Sequence, residues 1–280
     1  MKLVTFVRPG GVPEPGIASG DQIIPLADAG FSSVISLIAG GSAALERAAA
    51  VSGPTIPLNS VKLMAPVLRP PKIICVGLNY RDHAIESNMQ IPPIPTIFCK
   101  FPTSVIGPGD NIVLPRKSKQ PDYEAEFAFV IGEGGRRIAA ADWQKHVFGY
   151  MNVNDVSARD VQLATTQWMM GKTFDTFCPM GPYLVTADEI ADPHDLDICL
   201  TIHGEVLQHS NTKHLIFRIP DLIEYLSSVF TLEPGDVIST GTPAGVGFAR
   251  KPPRYLRAGD EVVVTVAGLG ELKNPVVAEA

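Results

Sequence analysis

Glu124 and Glu126 stand two residues apart in the strand-like stretch QPDYEAEFAFVIG, Gln120 to Gly132. Side chains of a strand alternate, so both carboxylates share one face while Tyr123, Ala125 and Phe127 take the other. Like charges side by side repel, and two arrangements relieve that. Either the face is exposed and each glutamate pairs with Lys or Arg, or a divalent cation binds both. The apolar context on either side, EFAFVIG and HVFGYMNVND, weighs against full solvation and favours the cation. Mg²⁺, Mn²⁺ and Ca²⁺ accept hard oxygen ligands, one to three carboxylates completed by water. Asp155 in MNVNDVSARD is the candidate third ligand. No Cys or His lies at ligand spacing from the pair, which disfavours zinc.

Three other constellations carry polar chemistry. In GLNYRDHAIES, His83 and Glu86 are three apart and share one face of a helix or tight turn. A carboxylate that accepts from one imidazole nitrogen leaves the other free as a base. The plain alternative is a surface His beside a Glu. Lys172 follows two methionines and a glycine in MMGKTFDTF, and either snorkels to solvent or faces a pocket. In PGDVISTGTPAGVG a strand runs into a glycine-rich turn, where Thr240, Gly241 and Thr242 offer backbone N–H groups and hydroxyls to an anion. Without the G-K-[ST] ending of a nucleotide loop, a carboxylate suits it better than a nucleotide phosphate. An ordinary β-turn is the alternative.

These residues need elements to hold them. MKLVTFV and DQIIPL read as strands, and GFSSVISLIAGGSAALERAAAVSG has helical spacing, giving a small N-terminal α/β unit. The Pro-rich GPTIPLNSVKLMAPVLRPPK suits an extended linker, so the expected domains are residues 1–68 and 69–280. Beyond it, short β-branched runs such as IICVGLNY, TIFCK, NIVLP, GPYLVT, DICLTIHGEVL, DVISTG and EVVVTVAG alternate with Pro/Gly/Asp turns. The helical segments are few, mainly AADWQKHV and IPDLIEYLSSVF. The pattern predicts a mostly β, sandwich- or barrel-like body.

Composition bounds the rest. The 280 residues, 45% hydrophobic, suffice for a sizeable core. A formal net charge of −6 without a basic stripe speaks against nucleic-acid or anionic-membrane partners. Four cysteines form no C-x-x-C pair and sit in apolar surroundings, which reads as reduced, buried thiols of a cytoplasmic protein. No apolar run is long enough to span a bilayer.

Taken together and in order, VGLNYRDHAIE, DYEAEFAFVIG, NDVSARDVQ, GKTFDTFCPMGP and GDVISTGTPAGVG make the chain from Lys72 onward resemble the fumarylacetoacetate hydrolase superfamily. The segments HSNTKH and RKPPRYLRAGDEV are most similar to the branch containing fumarylacetoacetate hydrolase domain-containing protein 2 and its bacterial relatives. The resemblance implies an α+β, mostly β fold: a mixed β-sandwich roll with short helices, preceded by the small α/β domain, and a homodimer. It implies Mg²⁺, or Mn²⁺ or Ca²⁺, on Glu124, Glu126 and Asp155, with His83 and Glu86 as a base on a lid that orders with ligand. Lys172 would be the active-site lysine, Gln162 a polar contact near the substrate, and Thr242 a contact to its carboxylate, beside Thr240 and Gly241.

The implied chemistry is that of small 2-oxo acids passing through an enolate. The branch points first to keto–enol tautomerisation of an oxaloacetate-like substrate, then to C–C hydrolysis of acylpyruvates or 2,4-dioxo acids. Isomerisation of a 2-hydroxy-diene-dioate and decarboxylation of oxaloacetate use the same parts. Outside catalysis, a metal- or carboxylate-binding β-domain is the competing reading, although such a module has no need of His83, Glu86 and Lys172 together.

Overall fold

The computed structural model describes residues 1–280. The N-terminal part forms β1 (Lys2–Val7), β2 (Pro13–Ser19), β3 (Gln22–Pro25), α1 (Val34–Ala39), α2 (Gly41–Ala49), β4 (Ile56–Pro57) and β5 (Lys62–Met64). The central part adds β6 (Ile73–Gly77), α3 (Arg81–Glu86), β7 (Thr96–Lys100), β8 (Val105–Ile106), β9 (Ile112–Leu114), β10 (Pro121–Asp122), β11 (Ala125–Ile131), α4 (Trp143–His146) and β12 (Val147–Asn154). Then come β13 (Ser157–Ala158), α5 (Arg159–Gln162), α6 (Met169–Lys172), β14 (Cys178–Thr186), β15 (Asp197–Ile202), β16 (Glu205–Asn211) and α7 (Ile219–Val229). The chain closes with β17 (Val237–Ser239), β18 (Glu261–Val266) and β19 (Glu271–Ala278).

Two sheets dominate. A 12-stranded sheet runs β4-β3-β2-β1-β14-β12-β11-β17-β6-β7, with β5 on β1 and β8 on β14, and a 5-stranded sheet runs β16-β15-β18-β19-β9. The fold is α+β and mostly β, as the run of short strands predicts. The N-terminal strands are hydrogen-bonded into the large sheet, because β1 pairs antiparallel with β14 at Lys2↔Val185 and Leu3↔Leu184.

The alternation read in QPDYEAEFAFVIG sets the two cores. Tyr123, Ala125, Phe127, Phe129 and Ile131 join the core beneath the 5-stranded sheet, together with Ile198, Leu200, Val264 and α7. Ala128 and Val130 turn to the opposite core, shared with Leu37 and Ile38 of α1. Both faces of β11 are therefore covered, and each buried Leu, Ile, Val or Phe contributes about 1.5–3 kcal/mol.

Several elements differ from the sequence expectations. The linker stretch contains β4 and β5, which extend the sheet on β3 and β1. PEPGIAS and ELKNPVVA read poorly as strands because of their prolines, yet form β2 and β19. Pro13 and Pro15 precede Gly16, where pairing with β3 begins, and Pro275 precedes Val276, where pairing with β9 begins. A missing N–H is tolerated at such positions. DICLTIHGEVL is two strands joined at His203–Gly204, both at positive φ. All four cysteines are free, but only Cys75 and Cys178 are buried; Cys99 is exposed on β7 at the sheet edge and Cys199 is half-buried. No helix is long and apolar enough to cross a membrane.

Candidate active site

Antiparallel register explains why Asp155 meets the glutamates. Ala125 lies opposite Asn154 in the β11–β12 pair, so the residues just outside that pair, Glu124 and Asp155, face one another. The Asp155 N–H donates to the Glu124 carbonyl (2.9 Å), and the Glu124 N–H donates to Asn154 Oδ1 (3.1 Å). One oxygen from each of Glu124, Glu126 and Asp155 falls within a 4.8 Å cluster, with all three side chains buried.

The two glutamates have opposite surroundings. Glu124 is ion-paired twice, by Arg159 Nη1 at 2.6 Å and by Lys172 Nζ at 2.7 Å. Burial alone would raise its pKa, but the Lys172 and Arg159 charges overcome it and hold the group at about 2. Glu126 has no cation of its own; Ser239 Oγ and the Gly241 N–H (2.9 Å) donate to its Oε2. Burial, and after it the Asp155 and Glu124 charges, push its pKa well above the usual carboxylate range. A buried carboxylate with two dipolar donors and two anionic neighbours is what a divalent cation would relieve. The all-oxygen donor set suits a hard cation, so the residues present fit one.

Asp155 is held by two lysines, Lys172 Nζ on Oδ2 (2.7 Å) and Lys100 Nζ on Oδ1. Lys100 also donates to the Val156 carbonyl (3.1 Å) and is fully buried at the end of β7. Burial would lower the pKa of Lys172, but Asp155 and Glu124 outweigh it and raise it, so the ammonium form is held. Arg159 extends the network, with Nε on Asp122 Oδ2 (2.9 Å) and Nη1 on Gln162 Oε1 (3.0 Å). Asp122 is anchored in turn by the N–H groups of Gly247 (2.8 Å) and Phe248 (3.0 Å).

Two glycines permit this approach. Gly171 lets α6 lie on α5, since a Cβ there would stand 2.4 Å from the Gln162 nitrogen. Gly241 has φ +100°, and a Cβ would meet Asn79 Cβ at 2.8 Å and the Val76 carbonyl at 2.9 Å. The parallel pairing of β17 with β6 sets that second contact. It is locked by Asn79 Nδ2, which donates to the carbonyls of Thr240 (2.7 Å) and Phe217 (3.0 Å).

His83 and Glu86 lie on α3, which follows β6 directly. His83 Nδ1 is 2.8 Å from Glu86 Oε1, and Glu86 Oε2 accepts from the Gly245 N–H at 2.9 Å. A carboxylate only accepts, so Nδ1 carries the proton and Nε2 is left to exchange one. His83, Glu124, Glu126, Gln162, Lys172 and Thr242 all line one cavity of about 50 Å³. That is room for a few water-sized groups. Leu78, Phe98, Leu163, Trp168 and Phe248 give the same cavity its apolar walls.

Of the residues singled out in the sequence, the glycine-rich turn is used differently from expectation. Its anion is internal: Gly241 and Ser239 hold Glu126, and Gly245 holds Glu86. The Thr240 hydroxyl donates to the Phe127 carbonyl (2.7 Å), and of Thr240, Gly241 and Thr242 only Thr242 lines the cavity. Lys100, Asp122, Arg159 and Ser239 were not legible as site residues. Arg159 sits within NDVSARDVQ, and its neighbour Asp160 offers a local partner that hides its inward role.

Residues 72–277 match the family model described as "Fumarylacetoacetate (FAA) hydrolase C-terminal". The chain is 50% identical over 235 residues to oxaloacetate tautomerase FAHD2A, mitochondrial, of Bos taurus, covering 83% of this chain and 75% of that one. Its structure resembles fumarylacetoacetate hydrolase from Exiguobacterium antarcticum, at 37% identity and TM-score 0.89 over the whole of both chains. Maleylpyruvate hydrolase from Sphingobium sp. SYK-6, solved with manganese(II) and pyruvate, is 33% identical with TM-score 0.83, again over the whole of both chains.

Proposed function

Because the chain belongs to the fumarylacetoacetate hydrolase family, we propose that it is a divalent-metal-dependent enzyme of small 2-oxo acids, acting as an oxaloacetate keto–enol tautomerase. The observation that carries the reading is that His83, backed by Glu86, lines the same cavity as Glu124 and Glu126, whose carboxylates cluster with that of Asp155. The bovine relative named for oxaloacetate tautomerase supports this choice of substrate.

Glu124, Glu126 and Asp155 would hold the cation, Mg²⁺ first and Mn²⁺ or Ca²⁺ as alternatives. When bound, it supplies Lewis-acid polarisation of the 2-oxo and adjoining carboxylate oxygens. The rest falls to side chains. His83 Nε2 removes a proton from C3 of the keto acid, Glu86 stabilises the imidazolium through Nδ1, and the imidazolium gives that proton to O2 to complete the enol and restore the base. The reverse sequence returns the proton to C3. The Lys172 ammonium stabilises negative charge developing on O2, a contribution of about a hundredfold or more in rate. Gln162 and Thr242 border the substrate from the cavity wall, while Thr240 and Gly241 act through the backbone that supports them. Hydrolysis would instead need a water between His83 and a C4 carbonyl.

In the same proposal residues 69–280 carry the chemistry and residues 1–68 buttress the sheet. The protein is a homodimer of a reducing compartment, the cytoplasm, whereas the bovine relative bears a mitochondrial name. Free cysteines fit such a compartment, and light scattering tests the dimer. The decisive assay follows the ultraviolet decay of enol-oxaloacetate with Mg²⁺, in wild type and His83→Ala, with pyruvate measured in parallel. His83-dependent decay without pyruvate is expected. Decay accompanied by pyruvate would make the enzyme a decarboxylase, and no decay would redirect the search to acylpyruvates.

A further inference from the structure

Four buried side-chain polar atoms of the protein have no hydrogen-bond partner: Tyr80 OH, Ser87 Oγ, Arg159 Nη2 and Asp236 Oδ1. Ser87 and Arg159 both line the cavity of the candidate site. Folded chains rarely leave buried donors unmade, because each forfeits its hydration without replacement. Two such donors on one cavity are available to the oxygens of a ligand.

Ser87 is the residue that follows α3, and its N–H donates to the His83 carbonyl at 3.1 Å. Its backbone is therefore fixed relative to the His83–Glu86 pair. The other polar groups of the cavity are engaged: Lys172 with Glu124 and Asp155, Gln162 with Arg159, and Thr242 Oγ1 with Gln208 Nε2 at 2.8 Å. Met89, two residues further on, lines the cavity with an apolar side chain. Among the residues lining the cavity, Ser87 alone offers a hydroxyl without a partner.

We propose that Ser87 is a specificity-determining residue: its Oγ–H donates to the carboxylate at the far end of the substrate and selects 2-oxo diacids over 2-oxo monoacids. The inference rests on the 2-oxo acid reading of the site and adds the identity of the distal group. Anchored at one end by the cation that Glu124, Glu126 and Asp155 would hold and at the other by Ser87, a diacid would lie along the cavity that His83 lines. A hydrogen bond to a charged oxygen is strong enough that losing it weakens binding about tenfold or more.

Malate and lactate separate this contact from turnover. Both are 2-hydroxy acids that chelate alike, and only malate has a distal carboxylate. Calorimetric titration of the Mg²⁺-loaded protein with each acid should show Ser87→Ala losing about tenfold or more in malate affinity, while lactate affinity changes less than about twofold. Ser87→Thr, which keeps the hydroxyl, should restore the preference, and Ser87→Gly repeats the deletion if the alanine variant does not fold. Equal weakening of both acids would assign the hydroxyl to packing of α3 and overturn the proposal, as would no change in either. A wild type inert toward enol-oxaloacetate that still shows the Ser87-dependent preference would refute the tautomerase and leave the contact standing.

Discussion

Glu124 and Glu126 are the same residue on the same face, yet their replacement by glutamine should have opposite effects on the metal-free fold. Glu124→Gln breaks two buried ion pairs, with Lys172 and Arg159, and leaves those cations partly uncompensated. Breaking a buried pair costs about 3–5 kcal/mol. At about 2–3 °C per kcal/mol for a chain of this size, the midpoint should fall by roughly 6–15 °C. Glu126→Gln removes a carboxylate that has no cationic partner and keeps an oxygen for Ser239 and Gly241. In EDTA its midpoint should equal or exceed that of the wild type. The sign with pH follows. The folded-state pKa of Glu126 is raised above 4.5, so the metal-free wild type loses stability as pH rises from there toward the raised value. The glutamine variant lacks that loss, and its advantage should grow with pH. Metal reverses the order. At 100 times Kd, Mg²⁺ stabilises the wild type by about 2.7 kcal/mol, roughly 5–8 °C. A loss of affinity of about 100-fold on removing a charged ligand leaves about 0.4 kcal/mol, near 1 °C. Thermal melts followed by circular dichroism, with EDTA and with Mg²⁺, read all four numbers. Equal destabilisation of the two variants in EDTA, or an undiminished Mg²⁺ shift in Glu126→Gln, would refute the division between a paired and an unpaired carboxylate.

His83→Ala should lower kcat for enol-oxaloacetate by about 10²–10⁴-fold while leaving the Mg²⁺ shift intact, and hydrogen exchange of residues 81–87 should slow when Mg²⁺ and oxalate are added. Gly171→Ala forces a Cβ to within 2.4 Å of the Gln162 nitrogen; overpacking of about 1–3 kcal/mol should appear in denaturant melts, with a drop in kcat from displaced Lys172. His194 sits against Trp143 at 5.5 Å, and burial, then Arg218, lower its pKa below 6.5. The neutral form is favoured in the fold, so its contribution is present above pH 6.5 and is lost as pH falls through the lowered value. His194→Gln should flatten that part of the stability profile in melts between pH 7 and 5.

The parts of the site that lie along one strand were legible, and those assembled across strands were not. Strand alternation alone places Glu124 and Glu126 together and Phe127 and Phe129 in the opposite core, because the period of two is local. The three-residue spacing of His83 and Glu86 is local in the same sense. Lys100 closes a strand, TIFCK, and nothing near it in sequence shows that it ends on Asp155, 55 residues away. The glycine-rich turn carried a true signal for a carboxylate, but the partner was Glu126 of the protein itself. Its separation of 115 residues from Gly241 hides it from any local pattern. The strand character of β2 and β19 was masked by prolines whose harmlessness depends on where the neighbouring strands begin to pair.

The parallel pairing of β6 with β17 also bears on how the chain is made. Asn79, just past β6, and Thr240, just past β17, are hydrogen-bonded yet stand 161 residues apart. At about 5–20 residues per second, a ribosome takes roughly 10–30 s to deliver the second after the first. For that interval β6, with Ile73, Ile74 and Val76 due to be buried, has an unpaired edge, and Glu126 waits for Ser239 and Gly241. Non-local pairing of this kind slows folding and leaves strand edges open to other chains. Nascent chains stalled before residue 237 should therefore be the species most dependent on chaperones, and slowing translation beyond that point should matter far less to yield.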